Sequence, residues 1–70
     1  MAIEGNAVRL VIVRLEDGKF VTRRVGGLKS MARPLDEAIK LVLDGEETRV
    51  LESQYVTLQH RVMEHIGAQQ

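Results

Sequence analysis

The pattern of apolar and polar residues near the start of the chain predicts a β-hairpin over residues 7–25. The first run, AVRLVIVRL at 7–15, is rich in β-branched residues and alternates only loosely, which is typical of a strand with two apolar faces. The second run, FVTRRV at 20–25, follows an Asp17-Gly18 pair. Asp-Gly between two such runs is a strong hairpin signal, because glycine accepts the positive φ that tight hairpin turns need.

The register of this hairpin decides which residues share a face, and the sequence leaves two registers open. A two-residue loop pairs Leu15 with Phe20, whereas a three-residue loop with a bulge pairs Leu15 with Lys19. In either register the apolar residues 10–13 alternate between the two faces. Because a two-stranded ribbon with two apolar faces is not stable alone, we expect helices to cover one face and a second sheet or a second subunit to cover the other.

A basic linker at 28–33 leads to a predicted helix over 34–44. Pro34 suits the first position of a helix, where its missing N–H costs nothing. The alternative is a second hairpin, in which residues 39–43 turn at an Asp-Gly pair into 48–51. We favour the helix because its apolar residues recur at i, i+3, i+4, i+7 and i+8, on one face: Leu35, Ala38, Ile39, Val42 and Leu43.

The last segment predicts a second helix that begins at 46 or at 53 and ends at 67. From Leu51 to Val62 its apolar residues are spaced alternately by four and three positions, as in a heptad repeat. His65 occupies the following heptad position, and Ile66 lies beside it. We expect these apolar residues to form a dimer contact or a partner-binding surface, which we call the seam. The seam consists of Leu51, Tyr55, Leu58, Val62 and Ile66. The elements together predict one α+β domain over 1–70, a hairpin followed by two helices in the order ββαα.

Size and composition favour self-association. A chain of 70 residues buries only about 60% of its unfolded surface, so small domains commonly need disulfides, a structural metal or oligomerisation. The sequence has no cysteine and two histidines, which excludes disulfides and thiolate zinc sites. We therefore expect a homodimer. No apolar run has the length of a membrane span and no secretory signal is visible, so we expect no membrane partner and a cytoplasmic location, in the host cytoplasm if a phage encodes the protein.

The net charge of zero conceals a basic half and an acidic half. Residues 1–33 contain seven cationic and three acidic side chains, and residues 34–70 contain three cationic and seven acidic ones, which gives +4 and −4. The basic half offers a possible phosphate-binding patch. Two features argue against nucleic-acid binding: the total charge is balanced, and only one Phe and one Tyr are present to stack on bases. The patch consists of Arg23, Arg24, Lys29 and Arg33.

No motif predicts catalytic, cofactor-binding or metal-ligating residues, and we expect neither an enzyme nor a bound cofactor. The first hypothesis is a small non-enzymatic regulator, of the kind that phages or mobile elements encode, which binds and modulates or inhibits another protein. The second is a small nucleic-acid-binding regulator that uses the basic patch. The third is a structural subunit that assembles head to tail, with its basic half against the acidic half of the next copy.

Overall fold

The computed structural model describes residues 7–68 and confirms a small α+β fold. A three-stranded antiparallel sheet, in the order β2-β1-β3, carries two helices on one face. A turn of 3-10 helix, Lys29–Met31, follows the second strand. The elements in chain order are β1 (Ala7–Glu16), β2 (Lys19–Leu28), α1 (Leu35–Leu43), β3 (Thr48–Leu51) and α2 (Glu52–Ala68).

The hairpin turn has the two-residue form. Asp17 has φ 54° and Gly18 has φ 77°, and positive φ at both central residues is the mark of a type I′ turn. The turn pairs Leu15 with Phe20, which settles the register. The second strand runs to Leu28, past its predicted end at 25.

The first helix forms as predicted, and the competing hairpin is wrong over 39–43. Pro34 precedes α1 as its cap residue, so the helix begins one residue later than expected. Gly45, with φ 83°, ends the helix in the left-handed conformation, and the Glu46 N–H donates to the Leu41 carbonyl at 2.9 Å. This turn sends the chain back toward the sheet.

The third strand, β3, is absent from the predicted ββαα order. It is four residues long, TRVL, and pairs antiparallel with the middle of β1, with Leu10 opposite Leu51 and Val13 opposite Thr48. The alternative hairpin places a strand at 48–51, and that half of the alternative is confirmed, although the strand pairs with β1 and not with 39–43. Helix α2 follows without a loop and begins at Glu52, neither at 46 nor at 53.

The core lies between the helices and one face of the sheet. Alternate residues of β1 and β3 meet the apolar faces of α1 and α2, and each member of the core is at most 1% exposed. Several half-buried apolar residues, Tyr55 and Ile66 among them, surround this cluster. The core consists of Val11, Val13, Ala38, Val42, Val50, Leu58 and Val62.

On the outer face of the sheet, opposite the helices, the central apolar residues are buried within the chain itself. Leu10 and Ile12 lie on this face and are 0% and 7% exposed. Gly27 has no side chain at the position next to Leu10, and a Cβ there would lie 2.9 Å from Leu10 Cδ1 and 3.0 Å from Met31 Sδ. Leu10 and Met31 therefore both pack closely against Gly27. The expectation that a second sheet or subunit must cover these two residues is wrong, since the chain buries them itself.

Candidate functional site: the free edge of the sheet

The two edges of the sheet differ in length and in protection. On the β3 side, the Arg33 N–H donates to the Arg49 carbonyl at 2.8 Å, so the basic linker partly occupies that short edge. On the other side, β2 is ten residues long, and neither helix packs against it extensively. Among the described residues, no backbone–backbone hydrogen bond joins the outer edge of β2 to another element. Long free edges are the places where proteins accept a further strand.

The turn determines which backbone groups face outward from β2. Residues that flank a two-residue turn exchange hydrogen bonds, and hydrogen-bonded pairs then recur at every second residue. The even-numbered residues of β2 consequently direct their N–H and C=O groups away from β1. Leu28 agrees with this alternation, because its N–H donates to Met31 Sδ at 3.3 Å. The outward groups without such a contact belong to Phe20, Thr22, Arg24 and Gly26.

Cations are concentrated on β2. The strand carries three basic side chains and no acidic one. Lys19 and Arg23 lie on the outer face, while Arg24 lies on the helix face and donates to Glu52 Oε2 at 2.8 Å. The exposed Val21 separates Lys19 from Arg23 on the outer face. The edge therefore combines free backbone groups with a positive charge.

The predicted basic patch does not form one surface. Arg23 and Arg24 are neighbours on a strand and point to opposite faces. Lys29 lies in the 3-10 turn, and Arg33 bonds to Glu37 Oε2 at 3.1 Å.

Another arginine instead joins Arg23 on the outer face. Arg49 of β3 lines up with Ile12 of β1 and Arg23 of β2 in one row across the sheet. The sequence reasoning missed Arg49 because it belongs to the acidic half and to a strand that only the alternative hairpin contained. No salt bridge among the described residues includes Arg23 or Arg49.

A groove lies beside the first half of β2, on the helix face. It has a volume of about 550 Å³ and lies between Phe20 of β2 and one side of α2. Met63, 48% exposed, forms its apolar wall together with Phe20. The remaining lining residues are Gln59, His60 and Glu64. The groove can take an apolar side chain with a polar rim around it.

The seam lies mostly inside its own subunit. Leu58 and Val62, at its centre, are 0% exposed and belong to the core. Leu51 is the last residue of β3 rather than part of the helix, and it is half-buried, as are Tyr55 and Ile66. The heptad spacing thus reflects packing of α2 against the sheet and against α1. With the centre of the seam inaccessible, the expected homodimer stays a prediction and needs another surface.

Ion pairs join the basic half to the acidic half within the chain. Arg24–Glu52 and Arg33–Glu37 each connect a residue before Pro34 with one after it. A third pair, Arg14–Glu16 at 2.9 Å, lies within the basic half. All three involve largely exposed side chains, so each is worth at most about 1 kcal/mol. Their importance is electrostatic, because they occupy two members of the basic patch.

Two further findings apply to residues 7–68. No group of three or more His, Cys, Asp or Glu side chains is arranged to hold a metal ion. No helical segment there has both the length and the hydropathy of a membrane span.

No protein-family model matches the chain, and neither a curated protein nor a solved structure resembles it to a significant degree. Its function therefore has to be inferred from its own residues and contacts.

Proposed function

We propose that this protein is a small non-enzymatic regulator that binds another protein inside the cell and modulates it. The binding surface is the outer edge of β2 with the groove beside it. The observation that carries the proposal is the ten-residue strand β2, whose outer edge makes no backbone–backbone hydrogen bond within the described chain. An unpaired edge is a template for a further strand, and the basic side chains of β2 oppose its pairing with a second copy of the same strand.

The surroundings of the edge favour a protein as the partner. Val21 on the outer face is 41% exposed, and the groove between Phe20 and Met63 opens on the helix face. Backbone groups flanked by apolar positions on both faces match the way in which proteins recognise extended segments, with hydrogen bonds for affinity and pockets for specificity.

Nucleic-acid binding is the second candidate, and one observation favours it. Arg23 and Arg49 lie on either side of Ile12 on the outer face, about 10 Å apart at their Cα atoms, given the usual spacing between strands. Two cations on a sheet face can contact phosphates. Glu47 and Glu16 on the same side of the molecule weaken this potential.

Site-specific photo-crosslinking in cells of the source organism tests the proposal. A photoreactive residue replaces Thr22 on the edge, and a control replaces Val56, which is 61% exposed on α2. We expect a protein adduct from position 22 and none of the same mass from position 56. A nuclease-sensitive adduct at position 22 would support the nucleic-acid alternative, and identical adducts at both positions would contradict a site at β2.

A further inference from the structure

We infer that the partner segment is an extended acidic peptide, which joins the sheet as a fourth strand beside β2 and places one apolar side chain in the groove between Phe20 and Met63. This inference rests on the proposed function and specifies the chemistry of the partner. It combines three features of the same edge, namely its backbone groups, its charge and the adjoining groove.

The backbone comes first, because a strand adds only where N–H and C=O groups are available in register. On β2 these groups belong to the even-numbered residues from Phe20 to Gly26. At Leu28 the N–H already contacts Met31 Sδ, so the Met31 side chain limits the edge at its far end. The accessible edge thus spans about eight residues, the length of an ordinary strand.

The charge of the edge selects between possible occupants. A second copy that added its own β2 would bring three more cations against Lys19, Arg23 and Arg24, and like charges opposite each other destabilise a strand pair. An acidic segment would be stabilised at the same edge, because opposite charges on neighbouring strands attract each other. Arg24 is already paired with Glu52, and Glu16 lies opposite Lys19, so Arg23 is the cation that most disfavours a second copy and favours an acidic strand.

The groove supplies an anchor on the helix face. A residue directly opposite Phe20 in an added strand shares that face and lies next to the groove. Phe20 and Met63 provide apolar contacts there, and methionine adapts readily to side chains of different shape. The segment should therefore carry a large apolar residue at this position.

These placements define a pattern for the partner. On the outer face it has acidic residues opposite Lys19 and Arg23, with an apolar residue opposite Val21 between them. On the helix face it has an apolar residue opposite Phe20, whereas Arg24 is already paired with Glu52 and sets no requirement. Four to six consecutive residues carry the pattern, so a short linear segment is sufficient.

The test is selection from a displayed library of random peptides of about ten residues, with the whole chain as the target. We expect enriched peptides to combine acidic residues with alternating apolar ones. Each enriched peptide is then measured against three variants. Thr22→Pro removes an outward N–H, which an edge strand tolerates because that N–H faces solvent. Thr22→Ala removes the same side chain but keeps the N–H, so the ratio of the two affinities reports the backbone group. Arg23→Glu reverses a charge at the edge, and Arg61→Glu is its control on the exposed surface of α2.

We expect Thr22→Pro to bind about tenfold more weakly than Thr22→Ala, Arg23→Glu to bind about tenfold more weakly than the original chain, and Arg61→Glu to bind equally well. Circular dichroism confirms that each variant is folded. Amide exchange in the complex should slow at Thr22 and Arg24. Enriched peptides that lack acidic residues, or that bind Thr22→Pro as well as Thr22→Ala, overturn the inference while leaving a protein-binding function intact. A library without any enriched peptide also overturns it, whereas a nuclease-sensitive adduct in the crosslinking experiment overturns the function itself.

Discussion

Two adjacent glycines of β2 should respond oppositely to the same substitution. Gly26→Ala and Gly27→Ala both reduce the freedom of the unfolded chain, and neither glycine has a positive φ. Each should therefore gain about 0.4–1 kcal/mol of stability from that source alone. The side chains differ in surroundings, because they lie on opposite faces of the sheet. A Cβ at Gly26 meets nothing within 4 Å, whereas one at Gly27 would lie 2.9 Å from Leu10 Cδ1 and 3.0 Å from Met31 Sδ.

The steric cost at Gly27 follows from which of its two neighbours can move. Overpacking a closed site costs about 1–3 kcal/mol. Met31 is 43% exposed and can rotate outward, but Leu10 is fully buried and cannot. The cost therefore falls in the lower part of the range, at about 1–2 kcal/mol. Gly26→Ala should be more stable than the original chain, and Gly27→Ala should be less stable than Gly26→Ala by about 1–2 kcal/mol.

Urea unfolding followed by far-UV circular dichroism measures this difference, provided that the m-values agree. A double-mutant cycle with Met31→Ala identifies the source of the strain: the cost of Gly27→Ala should shrink in the Met31→Ala background, because one of the two close contacts is gone. Equal stability of Gly26→Ala and Gly27→Ala would refute the claim that Leu10 and Met31 pack closely against Gly27.

The remaining predictions concern the core. Leu58→Ala removes a fully buried side chain and should cost about 2–5 kcal/mol, whereas Val56→Ala, at a 61% exposed position on the same helix, should change stability by less than about 0.5 kcal/mol. Comparable urea midpoints for the two variants would contradict the assignment of Leu58 to the core. Thr48→Val should stabilise the protein by about 1 kcal/mol, because Thr48 Oγ1 is buried without a hydrogen-bond partner among the described residues and the hydroxyl loses its water on folding. A lower urea midpoint for Thr48→Val would mean that the hydroxyl is satisfied in solution.

The parts of the fold that were predictable are those with local causes. Asp17-Gly18 predicts the hairpin because the turn itself needs positive φ, and the structure has it at both residues. The five apolar residues of α1 predict a helix because their spacing makes one face continuous. Register, by contrast, depended on the turn type, and two turn types fitted the same sequence. It became known only when Leu15 was seen opposite Phe20.

The third strand was predicted only as part of the alternative hairpin, and its pairing with β1 was not predictable because that pairing has a tertiary cause. Residues 48–51 become a strand because the turn at Gly45 returns them to the edge of β1 that β2 leaves unpaired. Once β3 is formed, the heptad spacing of α2 acquires a different meaning. Leu58 and Val62 belong to the core of their own chain, so a spacing typical of coiled coils arises here from one helix that packs on both a sheet and a second helix.

The candidate site was hidden for the same reason. A free edge is a property of strand order, and the order β2-β1-β3 could not be known before β3 was found. Arg23 was singled out from charge alone, and the structure keeps it at the surface, but it separates Arg23 from Arg24 by the thickness of the sheet. The groove beside Phe20 had no signal in the sequence, because Met63 and His60 come from a helix that approaches β2 only in the folded chain.

Folding pairs some of the charges of the basic half with the acidic half and leaves others at the free edge of β2. Two ion pairs, Arg24–Glu52 and Arg33–Glu37, connect the basic half to the acidic half, and they draw part of the basic charge toward the helices. Lys19 and Arg23 have no such partner among the described salt bridges and stay on the free strand. Because β2 carries basic side chains and no acidic one, this residual charge disfavours the pairing of β2 with a second β2. The charge that disfavours pairing of β2 with itself is therefore the same charge that the proposed acidic strand would neutralise, so one feature serves both purposes.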